Sequence, residues 1–136
     1  MVNFICGSKG SGKTKRLINL ANDNVKHCDG DIVFIEAKKD HTLDLKHEIR
    51  YISAMDFDIN DIETFHGFLC GIISEDYDIE NIYIDGLYKI AELDFYLLDK
   101  LINKIEKLSD EYDTDFIISM ECIDEDVPEN MKKYLI

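Results

Sequence analysis

Apolar runs along the chain predict five β-strands. Two of them, Asp31–Glu36 and Ile79–Asp85, are rich in β-branched and aromatic residues and end at an acidic residue, as expected of strands inside a parallel sheet. Similar runs predict strands over 2–6 and 116–120, the first of which leads directly into a glycine-rich segment. The alternating pattern in 48–53 is weaker and predicts a strand at an edge of the sheet.

Apolar positions at helical spacing predict helices between these strands. The first helix follows the glycine-rich segment, and its buried face is predicted to be formed by Leu17, Ile18, Ala21 and Val25. Asn60 and Glu63 are spaced like a capping box, which predicts a second helix that begins at Asn60. A long amphipathic helix is predicted over 94–109.

The order of these elements predicts the fold class. Strands that alternate with helices of this length predict a three-layer α/β/α sandwich with a mostly parallel five-stranded sheet. The charged segment 38–46 follows neither period and predicts a surface loop, and 131–135 predicts a short closing helix. Residues 1–136 are expected to form a single domain.

The glycine-rich segment 7–14 matches the phosphate-binding pattern G-x-x-x-x-G-K-[ST] at every fixed position. It lies between a predicted strand and a predicted helix, which is the context that this pattern requires. Glycines let the backbone wrap closely around a phosphate, and the helix start adds its positive end. We predict that Lys13 reaches the β- and γ-phosphates and that the Thr14 hydroxyl coordinates Mg²⁺. The residues predicted to bind the nucleotide are Gly7, Ser8, Lys9, Gly10, Ser11, Gly12, Lys13, Thr14 and Lys15.

A second motif lies at the end of the strand Ile79–Asp85. Residues 82–85, Ile-Tyr-Ile-Asp, have the form of a Walker B strand, in which apolar residues anchor the strand and leave a carboxylate at its carboxyl end. Ligands of open α/β sheets bind at that end of the strands. Asp85 is therefore the second predicted metal-side residue, and it would orient a Mg²⁺-bound water.

Both motifs resemble those of the P-loop NTPases, and the predicted order of elements is compatible with that fold across most of the chain. Within this superfamily the chain is most similar to RecA-like and thymidine-kinase-like proteins, to the latter through segment 35–40. The resemblance implies a P-loop NTPase fold with ATP and Mg²⁺ as its ligands, so residues 1–136 are expected to be a single P-loop nucleotide-binding domain.

The chain also departs from these relatives. Thymidine kinases carry a glutamate directly after the Walker B aspartate and a zinc-binding lasso, whereas this chain has Gly86 there and lacks such cysteines. Similar short bacterial proteins are often labelled twitching-motility ATPases. This chain resembles the pilus-retraction motors only in its phosphate loop, so motor activity is not expected.

A carboxylate that activates water is expected at the end of a neighbouring strand, as in RecA-like proteins. Glu36 ends the second strand and is the candidate, with Glu121 at the end of the last strand as the alternative. Lys13 and Glu36 are therefore the predicted catalytic residues. Ser119 could sense the γ-phosphate or be an ordinary strand serine.

The sequence is compatible with three functions. The favoured one is a slow ATPase or an ATP-dependent switch, in which γ-phosphate contacts order the segment 37–47. Hydrolysis is expected to be slow because Arg16 and Arg50 are the only arginines that could stabilise transition-state charge. The alternatives are a small-molecule phosphotransferase of the nucleoside-kinase type and a non-hydrolysing regulatory module. Three side chains of the charged segment are candidates to close over the nucleotide: Lys38, Lys39 and His41.

Charge and hydropathy limit the partners. The chain has 29 acidic and 15 basic residues, a formal net charge of −14, so a nucleic-acid backbone would repel it. No apolar stretch is long enough to span a bilayer and the first residues carry no basic leader, so a cytoplasmic protein without membrane contact is expected. A protein partner or a homo-oligomer stays open.

The four cysteines are spread along the chain. They form no C-x-x-C pair and no histidine lies at zinc spacing from them, so neither a metal knuckle nor a redox dithiol is indicated. The sequence predicts free, reduced thiols at Cys6, Cys28, Cys70 and Cys122.

Overall fold

Five parallel strands form a single sheet in the computed structural model, which describes residues 1–91 and 93–136. The strands are β1 Val2–Gly7, β2 Asp31–Glu36, β3 Arg50–Ser53, β4 Ile79–Asp85 and β5 Asp115–Glu121. Their order across the sheet is β1-β5-β4-β2-β3, and every neighbouring pair is parallel. The carboxyl ends of all five strands therefore lie on the same side of the sheet. β3 is the outermost strand at one end of the strand order, an edge strand as predicted.

Helices cover both faces of this sheet. They are α1 Lys13–Asn24, α2 Ile62–Glu75, α3 Leu87–Ile90 and α4 Phe95–Tyr112. On one face Leu17 of α1 packs in a buried cluster with Phe34 of β2. On the other face Phe65 of α2 and Leu101 of α4 pack in a second cluster with Ile35. Consecutive strand residues alternate between the two clusters, which confirms an α/β fold with a sheet buried on both faces.

The start of α2 differs by one residue from the sequence prediction. Asp61, not Asn60, is the N-cap residue, and its carboxylate accepts a hydrogen bond from the Thr64 backbone N–H at 2.8 Å. The Thr64 hydroxyl in turn accepts from the Asp61 backbone N–H at 3.3 Å, which completes the capping box. Asn60 and Glu63 match the letters of the pattern, but Thr64 rather than Glu63 occupies the third helical position.

Replacing Asp61 by alanine is expected to lower the melting temperature by a few degrees, because the variant leaves an amide of the first turn without its side-chain acceptor. Asn60→Ala is the matched control, since Asn60 contacts Thr64 through its backbone. Thermal unfolding followed by circular dichroism makes the comparison. An equal loss in the two variants would contradict the assignment of the cap to Asp61.

Other differences lie at the ends of elements. The helix predicted over 94–109 is α4, which continues to Tyr112 and ends at Asp113 in the left-handed conformation with φ 53°. The tail predicted as a helix over 131–135 is the 3₁₀ helix Glu129–Tyr134. The short helix α3 was not predicted, because four residues are too few to show a helical period.

The prediction of four free thiols is wrong for one pair. Cys6 and Cys122 are joined as a disulfide although 116 residues separate them, and their Cα atoms lie 5.4 Å apart. The neighbouring positions of β1 and β5 bring them together, since the Cys122 N–H also donates to the Gly7 carbonyl at 3.1 Å. Cys28 and Cys70 are free.

Candidate functional site

The predicted phosphate-binding loop connects β1 to α1. The backbone turns through Gly10 and Gly12 with φ of 78° and 89°, a region in which side chains other than hydrogen are strained. Helix α1 begins at Lys13, and within the described residues no side chain caps this end. The amides in the first turn of any helix lack an intrahelical acceptor, and here no side chain replaces it, so these amides favour an anion.

Lys13 is held against this loop. Its ammonium group donates to the Ser8 carbonyl at 2.9 Å. The loop is compact at its start, since a Cβ on Gly7 would lie 3.2 Å from Lys13 Cγ and would also meet the Ser11 hydroxyl. Lys9 and Lys15 are exposed at the surface of the same segment. All nine residues predicted to bind the nucleotide thus lie at the end of β1, in the loop and in the first turn of α1.

Thr14 and Asp85 meet at the carboxyl edge of the sheet. The Thr14 hydroxyl lies 3.1 Å from each oxygen of the Asp85 carboxylate and donates to it. These residues are 71 positions apart, and β5 lies between the strands that lead to them. The structure thus brings together the two residues that the sequence predicts on the metal side.

Ser119 fixes the orientation of Asp85. Its hydroxyl donates to Asp85 Oδ1 at 2.6 Å and accepts from the Gly86 backbone N–H at 2.9 Å. Both residues are buried, with 1% of Ser119 and 9% of Asp85 exposed. The sequence leaves Ser119 as either a γ-phosphate sensor or an ordinary strand serine. It does not predict the contact with Asp85, because that contact depends on the pairing of β4 with β5.

Two cavities open beside these residues. The larger has a volume of about 620 Å³ and is lined by Gly10, Gly12, Lys13, Thr14, Lys15, Ile18, Asn19, Asn22, His41 and Asp44. The smaller has a volume of about 200 Å³ and is lined by Thr14, Glu36, Ala37, Lys38, Asp40, His41, Asp85 and Lys89. Thr14 and His41 line both cavities, so the two spaces adjoin at the start of α1 and the segment after β2.

Glu36 is placed beside Asp85 but its carboxylate is fully engaged. The two residues are register partners on β2 and β4, and Glu36 is only 4% exposed. One oxygen accepts from the Tyr51 hydroxyl at 2.6 Å and from the backbone N–H groups of Asp40 and His41 at 3.0 and 3.3 Å. The other oxygen lies 2.6 Å from His41 Nδ1. The catalytic role of Glu36 stays a prediction.

These contacts change the acidity of two neighbours. Burial lowers the pKa of His41, but the hydrogen bond and the charge of Glu36, with the charges of Asp44 and Asp85, outweigh burial and raise the pKa above its usual value. Burial and the hydrogen bond to Glu36 raise the pKa of Tyr51 well above its usual value. Tyr51 is therefore a hydrogen-bond donor, and His41 carries positive charge over a wider pH range than an isolated histidine.

The ion pair of His41 with Glu36 is expected to make stability depend on pH. A pKa raised in the folded state means that the stabilisation is complete below about pH 6.5 and is lost as the pH rises through the raised value. Urea unfolding of the wild type and His41→Gln at about pH 6 and about pH 9 tests this. The wild-type advantage should be at most about 1 kcal/mol, since solvent screens a partly exposed ring, and should shrink at the higher pH. An advantage that grows with pH would contradict it.

The other candidates lie outside the contacts around Asp85. Glu121, the alternative base, is exposed and accepts a short hydrogen bond from the Tyr88 hydroxyl. The Arg16 guanidinium donates to the Ile136 carbonyl at 3.2 Å, and Arg50 pairs with Glu75 at 3.7 Å. Neither arginine lines either of the two cavities.

The residues around Asp85 suit Mg²⁺. Hydroxyl and carboxylate oxygens are the ligands that Mg²⁺ prefers, and in nucleotide sites it is held by one or two protein oxygens together with phosphates and waters. Among residues 1–91 and 93–136, no group of three or more His, Cys, Asp and Glu side chains could hold a metal by itself. Thr14 and Asp85 would therefore hold Mg²⁺ together with a polyphosphate rather than in an all-protein cage.

Comparisons with known proteins give no family. No protein-family model matches the chain, and no curated protein matches it significantly. In the described part of the chain, no helix is both long enough and apolar enough to cross a membrane. A functional assignment therefore depends on the geometry of the loop 7–14 and its neighbours.

Proposed function

We propose that this protein binds Mg-ATP in the loop 7–14, with a P-loop NTPase fold, and acts as a slow ATPase or an ATP-dependent switch. The observation that carries the proposal is the contact between Thr14 and the Asp85 carboxylate at 3.1 Å. It joins the end of the glycine-rich loop to the acidic end of a buried strand, as phosphate binding with Mg²⁺ requires.

Each part of the site has a chemical role in this proposal. The loop amides and the start of α1 bind phosphate oxygens, and the Lys13 ammonium supplies a full positive charge. Thr14 and Asp85 hold Mg²⁺, which neutralises charge on the phosphates when it is bound. Ser119 keeps the Asp85 carboxylate in place through its 2.6 Å hydrogen bond. The larger cavity, which adjoins the loop, has room for the nucleoside.

The segment 37–47 is suited to report the bound phosphate. Its first part is fixed by Glu36, and its last part is tied to α1 by Asn22. The Asn22 amide donates to the Asp44 carbonyl and accepts from the Lys46 N–H, each at 2.8 Å. The segment is therefore tied to the last turns of the helix that follows the loop 7–14, which supports a nucleotide-dependent switch.

The engagement of Glu36 also favours a second candidate, a module that holds ATP without hydrolysing it. Both Glu36 oxygens accept hydrogen bonds from the chain itself, which leaves little capacity to polarise a water. Neither arginine lines the two cavities. Both observations agree with slow hydrolysis of ATP, and they agree equally with no hydrolysis at all.

A single-turnover assay separates these functions. Protein in excess is mixed with ATP labelled on the γ-phosphate, and bound ATP, bound ADP and free phosphate are measured over hours, with Lys13→Ala as the background. Slow phosphate release that depends on Lys13 supports the ATPase, and retained intact ATP supports the non-hydrolysing module. Transfer that needs an added acceptor supports a phosphotransferase. If the wild type retains no more label than Lys13→Ala, the proposal fails.

A further inference from the structure

We propose that His41 contacts the terminal phosphate of the bound nucleoside triphosphate, and that Glu36 is a positioning residue that holds the His41 ring at that contact. This inference rests on the proposed function and names the group that distinguishes a triphosphate from a diphosphate. It differs from the expectation that Glu36 activates water.

The position of His41 singles it out. It lines the smaller cavity together with Thr14 and Asp85, the two metal-side residues. In the proposed function Thr14 and Asp85 would hold Mg²⁺ beside the phosphates, so a group that shares their cavity would be adjacent to the terminal phosphate. With Nδ1 engaged by Glu36, Nε2 is the ring nitrogen available to a ligand.

The ring is held in place from several directions. Glu36 contacts both the imidazole and the backbone N–H of His41, at 2.6 and 3.3 Å. Glu36 is itself fixed by the Tyr51 hydroxyl from the neighbouring strand β3, at 2.6 Å. The Tyr51 hydroxyl oxygen also lies 2.8 Å from the Lys38 carbonyl oxygen, so its one proton is shared between Glu36 and the same turn. Because the ring is already ordered, contact with a phosphate would lose little conformational entropy.

The charges around the ring support a cationic role. Glu36, Asp44 and Asp85 all favour its protonated form, and these same carboxylates would repel a phosphate that had no cation to offset them. The remaining cations of the smaller cavity are Lys38 and Lys89, which are exposed. An imidazolium held by a carboxylate is thus the ordered positive group of the cavity.

The test compares ATP and ADP affinities, measured by calorimetry with Mg²⁺, in the wild type and in His41→Ala, His41→Gln and Glu36→Gln. His41→Ala should weaken ATP binding about tenfold, the loss of one charge-assisted hydrogen bond, and change ADP binding less than about twofold. His41→Gln, which keeps a hydrogen-bond donor for Glu36 but no charge, should lose ATP preference to the same extent. Lys107→Ala, which removes an exposed lysine of α4 that lines neither cavity, should keep it.

The positioning role of Glu36 has its own readout. Glu36→Gln should lower the ratio of ATP to ADP affinity, and adding His41→Ala to it should cause no further loss, because the first residue acts through the second. Thermal unfolding followed by circular dichroism shows which variants are folded. If a variant is not folded, the His41→Gln variant alone is measured in its place. Additive losses would overturn the positioning role.

The outcomes also separate this inference from the proposed function. If the wild type binds neither nucleotide, the proposed function fails. If the wild type binds ATP and Lys13→Ala abolishes binding, but the His41 variants bind ATP and ADP as the wild type does, the inference alone is overturned. Equal losses for both nucleotides overturn it as well, because they would place His41 on the shared part of the ligand.

Discussion

Mg-ATP binding is expected to weaken about 100-fold or more when Lys13 is replaced by alanine. The ammonium group is the one full positive charge at a fixed position of the loop pattern, and it is expected to serve two phosphates. Charge-assisted hydrogen bonds contribute about 1.5 to 3 kcal/mol each, and about 1.4 kcal/mol corresponds to a factor of ten in affinity. Two such contacts account for the expected loss. Calorimetry with ATP at millimolar Mg²⁺ measures it.

Lys9→Ala is the matched control for Lys13→Ala. Both substitutions remove one lysine from the same loop, so they change the net charge and the long-range attraction for ATP equally. Lys9 is exposed and occupies a variable position of the pattern, so its loss should weaken ATP binding less than about threefold. If the two variants lost affinity equally, the loop would attract ATP only by its overall charge.

Asp85→Asn is expected to remove most of the effect of Mg²⁺ on ATP binding. Asparagine preserves the size of the side chain and an oxygen that can accept from Thr14 and Ser119, but it removes the charge that attracts the metal. We expect ATP affinity to fall about tenfold with Mg²⁺ and to stay equal or improve in EDTA, where the lost negative charge no longer repels phosphate. Calorimetry in the two buffers gives both values.

Asp110→Asn is the control for this experiment, because Asp110 is an exposed carboxylate on α4 and its loss changes the net charge by the same amount. It should leave the response to Mg²⁺ unchanged. If Asp85→Asn kept the full response, or lost affinity equally in Mg²⁺ and in EDTA, Asp85 would not be a metal-side residue. The contact with Thr14 would then be purely structural.

The elements of this fold were predictable where the local pattern was strong. The bounds of β2 and β4 agree with the prediction residue for residue, because each is a short apolar run closed by an acidic residue. The cap at Asp61 and the pairing of Cys122 were not predicted, because the local pattern does not determine them. The cap depends on which of two adjacent polar residues the preceding turn places at the helix start, and the cysteine pair depends on strand order, which local periodicity does not encode.

The candidate site divides in the same way. Thr14 and Asp85 were predicted together because each belongs to a motif whose chemistry is local, and the structure places them in contact. The network around Glu36 was not predicted, since it depends on the pairing of β2 with β3 that brings Tyr51 near. The available signal was a tyrosine in the alternating segment 48–53 together with a histidine shortly after Glu36.

The central claim is that the backbone of the loop 7–14 holds a polyphosphate. Titration of ¹⁵N-labelled protein with Mg-ATP, followed by the amide chemical shifts in NMR spectra, tests it most directly. We expect saturable shifts, the largest at Gly10, Gly12, Lys13 and Thr14, with smaller ones in the segment 37–47. Spectra in which those four amides do not move at millimolar Mg-ATP would contradict the claim.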